Sequence, residues 1–246
     1  MLSLSDSRSG VPMAEKVTQD RLKAMVGRAG AELVKDGDIV GLGTGSTAIH
    51  AIMRLGERVR EGLHILGIPT SVGSERLAVE HKIPLTTLED NPEINITIDG
   101  ADEVDPNFDL IKGMGGALLR EKIVAHATRQ EVIVVDASKL VDRLGVLSPL
   151  PVEVARYGHS AVARKLAALG CQPVLRPQKG GGPGPFVTDN GNHIYDCRFP
   201  GIDDAHDMEV RIDSIPGVVE CGLFVGLAHV VITASGKGIE VRRRKV

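Results

Sequence analysis

Aromatic rings are nearly missing from this chain: among 246 residues there are four Phe, two Tyr and no Trp. A core of the size this length can bury must then be filled by Ile, Val, Leu and Ala, which suits a parallel sheet under helices better than an aromatic-clad sandwich. The same shortage argues against stacking platforms for single-stranded nucleic acid. Basic charge is not in excess either, since 29 Lys and Arg face 32 Asp and Glu and leave a net charge of −3. No global field therefore attracts DNA, RNA or anionic lipid. Cys171, Cys197 and Cys221 are odd in number and far apart, which fits neither a disulfide framework nor a Cys-x-x-Cys knuckle and implies a reducing cytoplasm. The eight histidines show no clustered ligand spacing, so no metal is expected. No apolar run approaches the ~18 residues needed to cross a bilayer, and the opening residues lack the about 7–15-residue apolar stretch of a secretory signal.

What remains is ample apolar content, 42% of residues, which excludes wholesale disorder and favours a globular protein acting on small molecules. Thr18 is a plausible N-cap for a helix reaching about Lys35, because Leu22, Met25, Val26, Ala29 and Leu33 recur at helical spacing before Asp36-Gly37. Strands over 38–42, 64–68 and 94–98, with a short one near Leu85, alternate with helices over 47–61 and 74–82. A helix over 117–128 and the apolar run Glu131–Asp136 continue the rhythm. Alternation of this kind predicts a parallel, doubly wound sheet.

Pro149-Leu150-Pro151 breaks that rhythm. Beyond it the pattern reads strand (152–155), helix (160–169), hairpin (173–199), helix (203–215), strand (218–223), with the Gly/Pro-rich 179–185 forming an exposed, mobile tip. The fold expected is α/β: a Rossmann-like, doubly wound, mostly parallel sheet over 16–148 plus 224–246, and a smaller α+β (ferredoxin-like) domain over 149–223. Residues 1–15 read as a loose N-terminal tail. Arg242-Arg-Arg-Lys245 reads as a solvated tail.

Four segments carry chemistry. Gly41-Leu-Gly-Thr-Gly-Ser-Thr47 joins a strand to a helix, where turn and helix-start amides can hold an anion and Thr44, Ser46 and Thr47 add hydroxyls. A nucleoside triphosphate loop is excluded by the missing Gly-Lys-Ser/Thr, and a dinucleotide fingerprint by Ser46 in the third glycine position. A monophosphate fits better; the glycines alone would also serve a tight turn. Ile98-Asp-Gly-Ala-Asp-Glu-Val-Asp105 follows an apolar strand and reads either as a surface acidic turn or as carboxylates facing sugar hydroxyls, with Asp99 and Asp102 the candidates. Lys112-Gly-Met-Gly-Gly-Ala-Leu-Leu-Arg-Glu-Lys122 again leads a glycine loop into a helix. There Glu121 lies between Ala117 and Ala125 on an apolar stripe, either pairing with Arg120 or Lys122 in solvent or acting as a desolvated general base. Asp136-Ala-Ser-Lys139 would add a cation at the same sheet edge.

Together these motifs, with Pro149-Leu-Pro-Val-Glu-Val154, Val187-Thr-Asp-Asn-Gly-Asn192 and Ile215-Pro-Gly-Val-Val219, resemble ribose-5-phosphate isomerase, type A, in order and over 18–239. The resemblance implies aldose-ketose interconversion of D-ribose 5-phosphate and D-ribulose 5-phosphate through an enediolate, in the non-oxidative pentose phosphate pathway. It implies no metal or organic cofactor, and a cytoplasmic homodimer or homotetramer with its site in the Rossmann-like domain. Glu121 matches the proton acceptor, with Asp99, Lys112 and Asp102 beside it. Thr44, Gly45, Ser46, Thr47, Asp99, Gly100, Ala101, Asp102, Lys112, Gly113, Met114, Gly115, Lys139 and Lys23 match substrate-binding positions. Met114 departs from the glycine often found there, which would be strained if its φ were positive. Two rival readings stay open: a CoA transferase-like enzyme with a covalent glutamate, and a non-enzymatic sugar-phosphate sensor.

Overall fold

A computed structural model describes residues 18–178 and 180–244, so the expected tail over 1–15 lies outside the described residues, as does Lys179 at the Gly/Pro-rich tip. The first helix, α1 (Gln19–Ala31), starts where the Thr18 side chain accepts the Arg21 amide at 3.3 Å. It ends earlier than its apolar spacing predicts. Leu33 and Val34 donate to the carbonyls three residues back, so the last turn tightens while both side chains still reach the core.

The chain then runs through β1 (Ile39–Leu42), α2 (Ala48–Arg60), β2 (Leu66–Pro69), α3 (Val72–Glu80), β3 (Ile96–Asp99), β4 (Glu103–Val104), β5 (Leu110–Ile111), α4 (Leu118–His126) and β6 (Glu131–Asp136). After a short 3₁₀ turn, Ala137–Lys139, come β7 (Leu150–Val154), α5 (His159–Ala167), β8 (Gln172–Leu175), β9 (His193–Arg198), α6 (Ala205–Asp213), β10 (Val218–Cys221), β11 (Leu223–Phe224), β12 (Val230–Ser235) and β13 (Gly238–Arg243). The main sheet has the order β13-β12-β6-β3-β1-β2 and is parallel except for β13.

Both faces of that sheet are covered, and period-two alternation shows how. Val132, Val134, Val230 and Ile232 join the cluster under α1 and α2, whereas Ile133, Val135 and Val231 face the opposite side with Ala125 of α4 and Phe224. Strand order reverses beside β1, with β2 on one side and β3 on the other. In such sheets ligands bind at the carboxyl ends of the strands flanking that switch point, here the ends of β1 and β3.

The second sheet, order β10-β7-β9-β8, is antiparallel, and its β7-α5-β8-β9-α6-β10 order is the ferredoxin-like split βαβ pattern. Its apolar cluster gathers Val152, Val154, Leu166, Tyr195, Cys197 and Ile212. The three cysteines are buried and free. The 180–184 segment is exposed, bounded by a bridge between Pro177 and Pro185.

Three features depart from the sequence reading. A small antiparallel sheet, β11-β5-β4, has strands of two residues, too short for any periodicity to register. Leu85 makes only an isolated bridge, to Gly67. The basic C-terminal run is no free tail over its described part: Arg242 and Arg243 belong to β13, and Arg244 donates to the carbonyls of Asn107 and Phe108. No helix among the described residues is long and apolar enough to cross a membrane.

Candidate active site

The β1 and β3 ends meet at Gly43 and Asp99. The Asp99 carboxylate is buried, and its Oδ1 accepts the amides of Thr44 at 3.0 Å and Gly100 at 2.7 Å. This placement requires the glycine, because a Cβ on residue 43 would stand 2.3 Å from Asp99 Oδ1. Gly43 is thus chosen for close approach, not for an unusual φ.

The other oxygen, Asp99 Oδ2, lies 3.0 Å from Lys112 Nζ, which also donates to the Gly100 carbonyl at 2.5 Å. Lys112 follows β5, its backbone amide tied to the Gly222 carbonyl, and its ammonium lies 5.3 Å from the Phe224 ring centroid. Burial alone would lower the proton affinity of this lysine. Asp99, Glu121 and Glu131 outweigh that and hold it more firmly protonated than a lysine in water.

Glu121, in the first turn of α4, is 4% exposed, with Oε1 3.6 Å from Lys112 Nζ and Oε2 without a hydrogen-bond partner. Desolvation drives its pKa up to about 8; Asp99 and Asp102 add to the rise and Lys112 opposes it. The solvated alternative fails because its neighbours are engaged elsewhere. Arg120 donates to Asn190 and the Asp189 carbonyl, and Lys122 contacts Glu209 at 2.8 Å and Glu220 at 2.6 Å. The group is therefore a desolvated carboxyl held beside a buried ammonium.

Above these residues opens a cavity lined by Lys23, Thr44, Gly45, Ser46, Thr47, Gly100, Ala101, Asp102, Lys112, Gly113, Gly115, Glu121 and Lys139. Two expected residues stand outside that wall. Asp99 sits beneath it, and the Met114 side chain is partly exposed elsewhere while its amide donates to Asp102 Oδ2 at 3.0 Å. Met114 carries no positive φ; Gly113 (φ 106°) and Gly116 (φ 92°) do, so the anticipated strain does not arise. Burial raises the proton affinity of Asp102, against the pull of the Met114 amide, Lys112, Lys139 and Arg176.

The hydroxyls divide into two groups. Thr44 Oγ1 donates to Ser71 Oγ at 2.8 Å and lies 2.7 Å from Thr70 Oγ1, so it braces the β2 end. Ser46 and Thr47 stand at the start of α2, whose N-cap Thr47 makes no side-chain cap bond; the Ile49 and His50 amides donate instead to the Gly45 and Thr47 carbonyls, both at 3.1 Å.

Sequence reasoning missed Gln19, which lines the cavity and donates to Asp136 Oδ2 at 3.3 Å. Its spacing of four from Lys23 on α1 was the available signal. It also missed Glu131, buried at the start of β6, whose carboxyl is pushed well up by burial and by Asp99. One possible metal-ligand cluster, Glu209, Asp213 and Cys221, occurs among the described residues, but the Lys122 ammonium already lies 2.8 Å from Glu209 and 3.9 Å from Cys221 Sγ.

Known proteins resemble this chain over most of its length. The family described as ribose 5-phosphate isomerase A (phosphoriboisomerase A) matches residues 66–238. Ribose-5-phosphate isomerase A of Gloeobacter violaceus is 54% identical over 223 residues, covering 90% of this chain and 96% of the relative. The protein of that name from Parvibaculum lavamentivorans is 48% identical, covering 90% and 97%. Among solved structures, ribose 5-phosphate isomerase A from Methanocaldococcus jannaschii superposes with a TM-score of 0.87 at 44% identity, covering 92% of this chain and 100% of that one. A D-ribose-5-phosphate isomerase in complex with phospho-erythronic acid gives 0.89 at 39% identity, with coverage of 92% and 100%. With most of its length matched, the chain belongs to the ribose 5-phosphate isomerase A family.

Proposed function

We infer that this chain interconverts D-ribose 5-phosphate and D-ribulose 5-phosphate, with Glu121 as the general base. The observation that carries the reading is a buried carboxylate of raised pKa, with one oxygen unpartnered, on the wall of a cavity beside a buried ammonium. The complex of a solved relative with phospho-erythronic acid, a phosphorylated sugar acid, supports the substrate class.

In the aldose-to-ketose direction Glu121 takes the proton from C2, and the C2 electron pair forms the C1–C2 double bond of an enediolate. Charge developing on the oxygens is met by Lys112 and the loop amides around Gly113–Gly115. The glutamic acid then returns a proton to C1, while a proton moves from O2 to O1, leaving the carbonyl at C2. One carboxyl serves both carbons because the intermediate stays bound. Asp99 supports that oxygen-to-oxygen transfer or ring opening, and Asp102 orients the hydroxyls. Ser46, Thr47 and the α2 start take the phosphate, with Lys139, Lys23 and Gln19 at the rim, so binding energy far from C2 holds the reacting end against Glu121.

In this reading 16–148 plus 224–246 form the catalytic domain and 149–223 the smaller one, supported by the six-stranded and four-stranded sheets that they respectively contain. The enzyme works in the cytoplasm, in the non-oxidative pentose phosphate pathway, as a homodimer or homotetramer. The family match leaves the acyl-transfer and sensor readings without support. A direct assay of ribose 5-phosphate conversion, run with a chelator present, tests the reaction class. No conversion would overturn it.

A further inference from the structure

The glycine loop between β5 and α4 is gripped from the second sheet. Arg176, directly after β8, is 6% exposed, and its guanidinium holds Asp196 on β9 through two bonds, Nε to Oδ2 at 3.0 Å and Nη2 to Oδ1 at 2.5 Å. Its third nitrogen, Nη1, donates to the Gly113 carbonyl at 3.0 Å and more weakly to the Met114 carbonyl at 3.4 Å. The same Gly113 carbonyl accepts the Gly116 amide at 3.0 Å, closing the loop into a turn. Packing fixes the far side of that turn, since a Cβ on Gly116 would stand 2.5 Å from Phe186 Cζ, and the Phe186 ring lies 5.9 Å from the Arg176 guanidinium.

The Gly113 carbonyl and the Met114 amide belong to one peptide plane, and in a trans peptide the two point in opposite directions. Arg176 holds the carbonyl end, and Asp102 Oδ2 holds the amide end at 3.0 Å. A charged donor on the carbonyl polarises the peptide and strengthens the bond its N–H makes. Arg176 is paired with Asp196 and does not itself line the cavity, yet it bonds the carbonyl of the peptide whose amide holds the Asp102 carboxylate.

We propose that Arg176, oriented by Asp196, is a positioning residue for the isomerisation: it clamps the Gly113–Met114 peptide from the second sheet and thereby fixes Asp102 and the loop amides at the reacting end of the sugar. The proposal rests on the isomerase reading and adds to it a part for the smaller domain in the chemical step.

Steady-state kinetics on ribose 5-phosphate test it. Arg176→Lys keeps the charge but cannot span Asp196 and the Gly113 carbonyl together, so kcat falls between about 10- and 100-fold while KM moves less than about threefold. Arg176→Met behaves likewise. If it fails to fold because Asp196 is left buried and unpaired, Arg176→Met with Asp196→Leu removes the orphan charge and carries the same expectation. A clamp acting through Asp102 is also non-additive with it: in an Asp102→Asn background, Arg176→Lys costs much less than in the wild type. Wild-type kcat in Arg176→Lys, a loss confined to KM, or full additivity with Asp102→Asn would each overturn the clamp. An inactive wild type would instead sink the isomerase reading on which it rests.

Discussion

Lys112 and Glu121 face each other across 3.6 Å, Nζ to Oε1, inside a compartment where both are almost wholly buried. That separation is longer than a well-formed hydrogen bond, whereas Lys112 meets Asp99 at 3.0 Å. The lysine thus serves Asp99 as its close partner and Glu121 as a nearby field, which leaves the glutamate able to take a proton. Glu121→Gln keeps the shape and the neighbouring cation but removes the base. Turnover of ribose 5-phosphate is expected to drop at least ~100-fold with KM little changed. Near-native kcat in the variant would remove Glu121 from the mechanism.

A pKa raised to about 8 gives activity and stability opposite dependences on pH. The base form grows as pH rises, so kcat/KM for the free enzyme climbs and levels above about 8. In the unfolded chain the same carboxyl ionises near its ordinary 4.5, so between about 4.5 and about 8 the folded state binds the extra proton. Folding stability contributed by this group therefore falls as pH rises through that window. Denaturant unfolding at both ends of the window should show a larger loss for the wild type than for Glu121→Gln. Equal losses would place the shift on other groups.

The anion end is tested by Ser46→Ala combined with Thr47→Ala. Each hydroxyl bond to a phosphate is worth about 1.5–3 kcal/mol, so KM for ribose 5-phosphate should rise at least tenfold, about 1.4 kcal/mol, beyond any change for unphosphorylated ribose. Similar losses with both sugars would mean that the α2 start does not hold the phosphate.

Local signals made the βαβ frame and most of the cavity wall readable. Gly41–Thr47, Asp99–Asp102 and Lys139 each sit within a few residues of the end of a legible strand, so the chain order alone brings them to one sheet edge, whereas Lys112–Gly115 was marked only by its glycines and the helix after them. Interactions that depend on distant segments left no such trace. Lys112 meets Phe224 and Gly113 meets Arg176 only because β11 and the second sheet fold back over α4, and nothing in the neighbourhood of Arg176 or Phe224 marks either as part of a site. The two-residue strands β4, β5 and β11 escaped for a different reason: a period of two needs more than two residues to be seen. Glu121 was intermediate, since helical spacing put it on the apolar stripe but only the packed structure decided that Arg120 and Lys122 turn away.

One ring joins the two buried lysines of this region. Phe224 is fully buried, with the Lys112 ammonium 5.3 Å and the Lys122 ammonium 5.2 Å from its centroid. In a chain with four Phe and no Trp, few other side chains offer an electron-rich face to a desolvated cation. Phe224→Leu retains an apolar side chain but removes that face and leaves a small void. Stability should fall by about 1–3 kcal/mol in thermal or denaturant unfolding. With Lys112 less firmly held between Asp99 and Glu121, kcat should drop several-fold while KM for ribose 5-phosphate stays near the wild-type value. A folded Phe224→Leu enzyme with wild-type stability and turnover would show that the ring only fills space beneath the site.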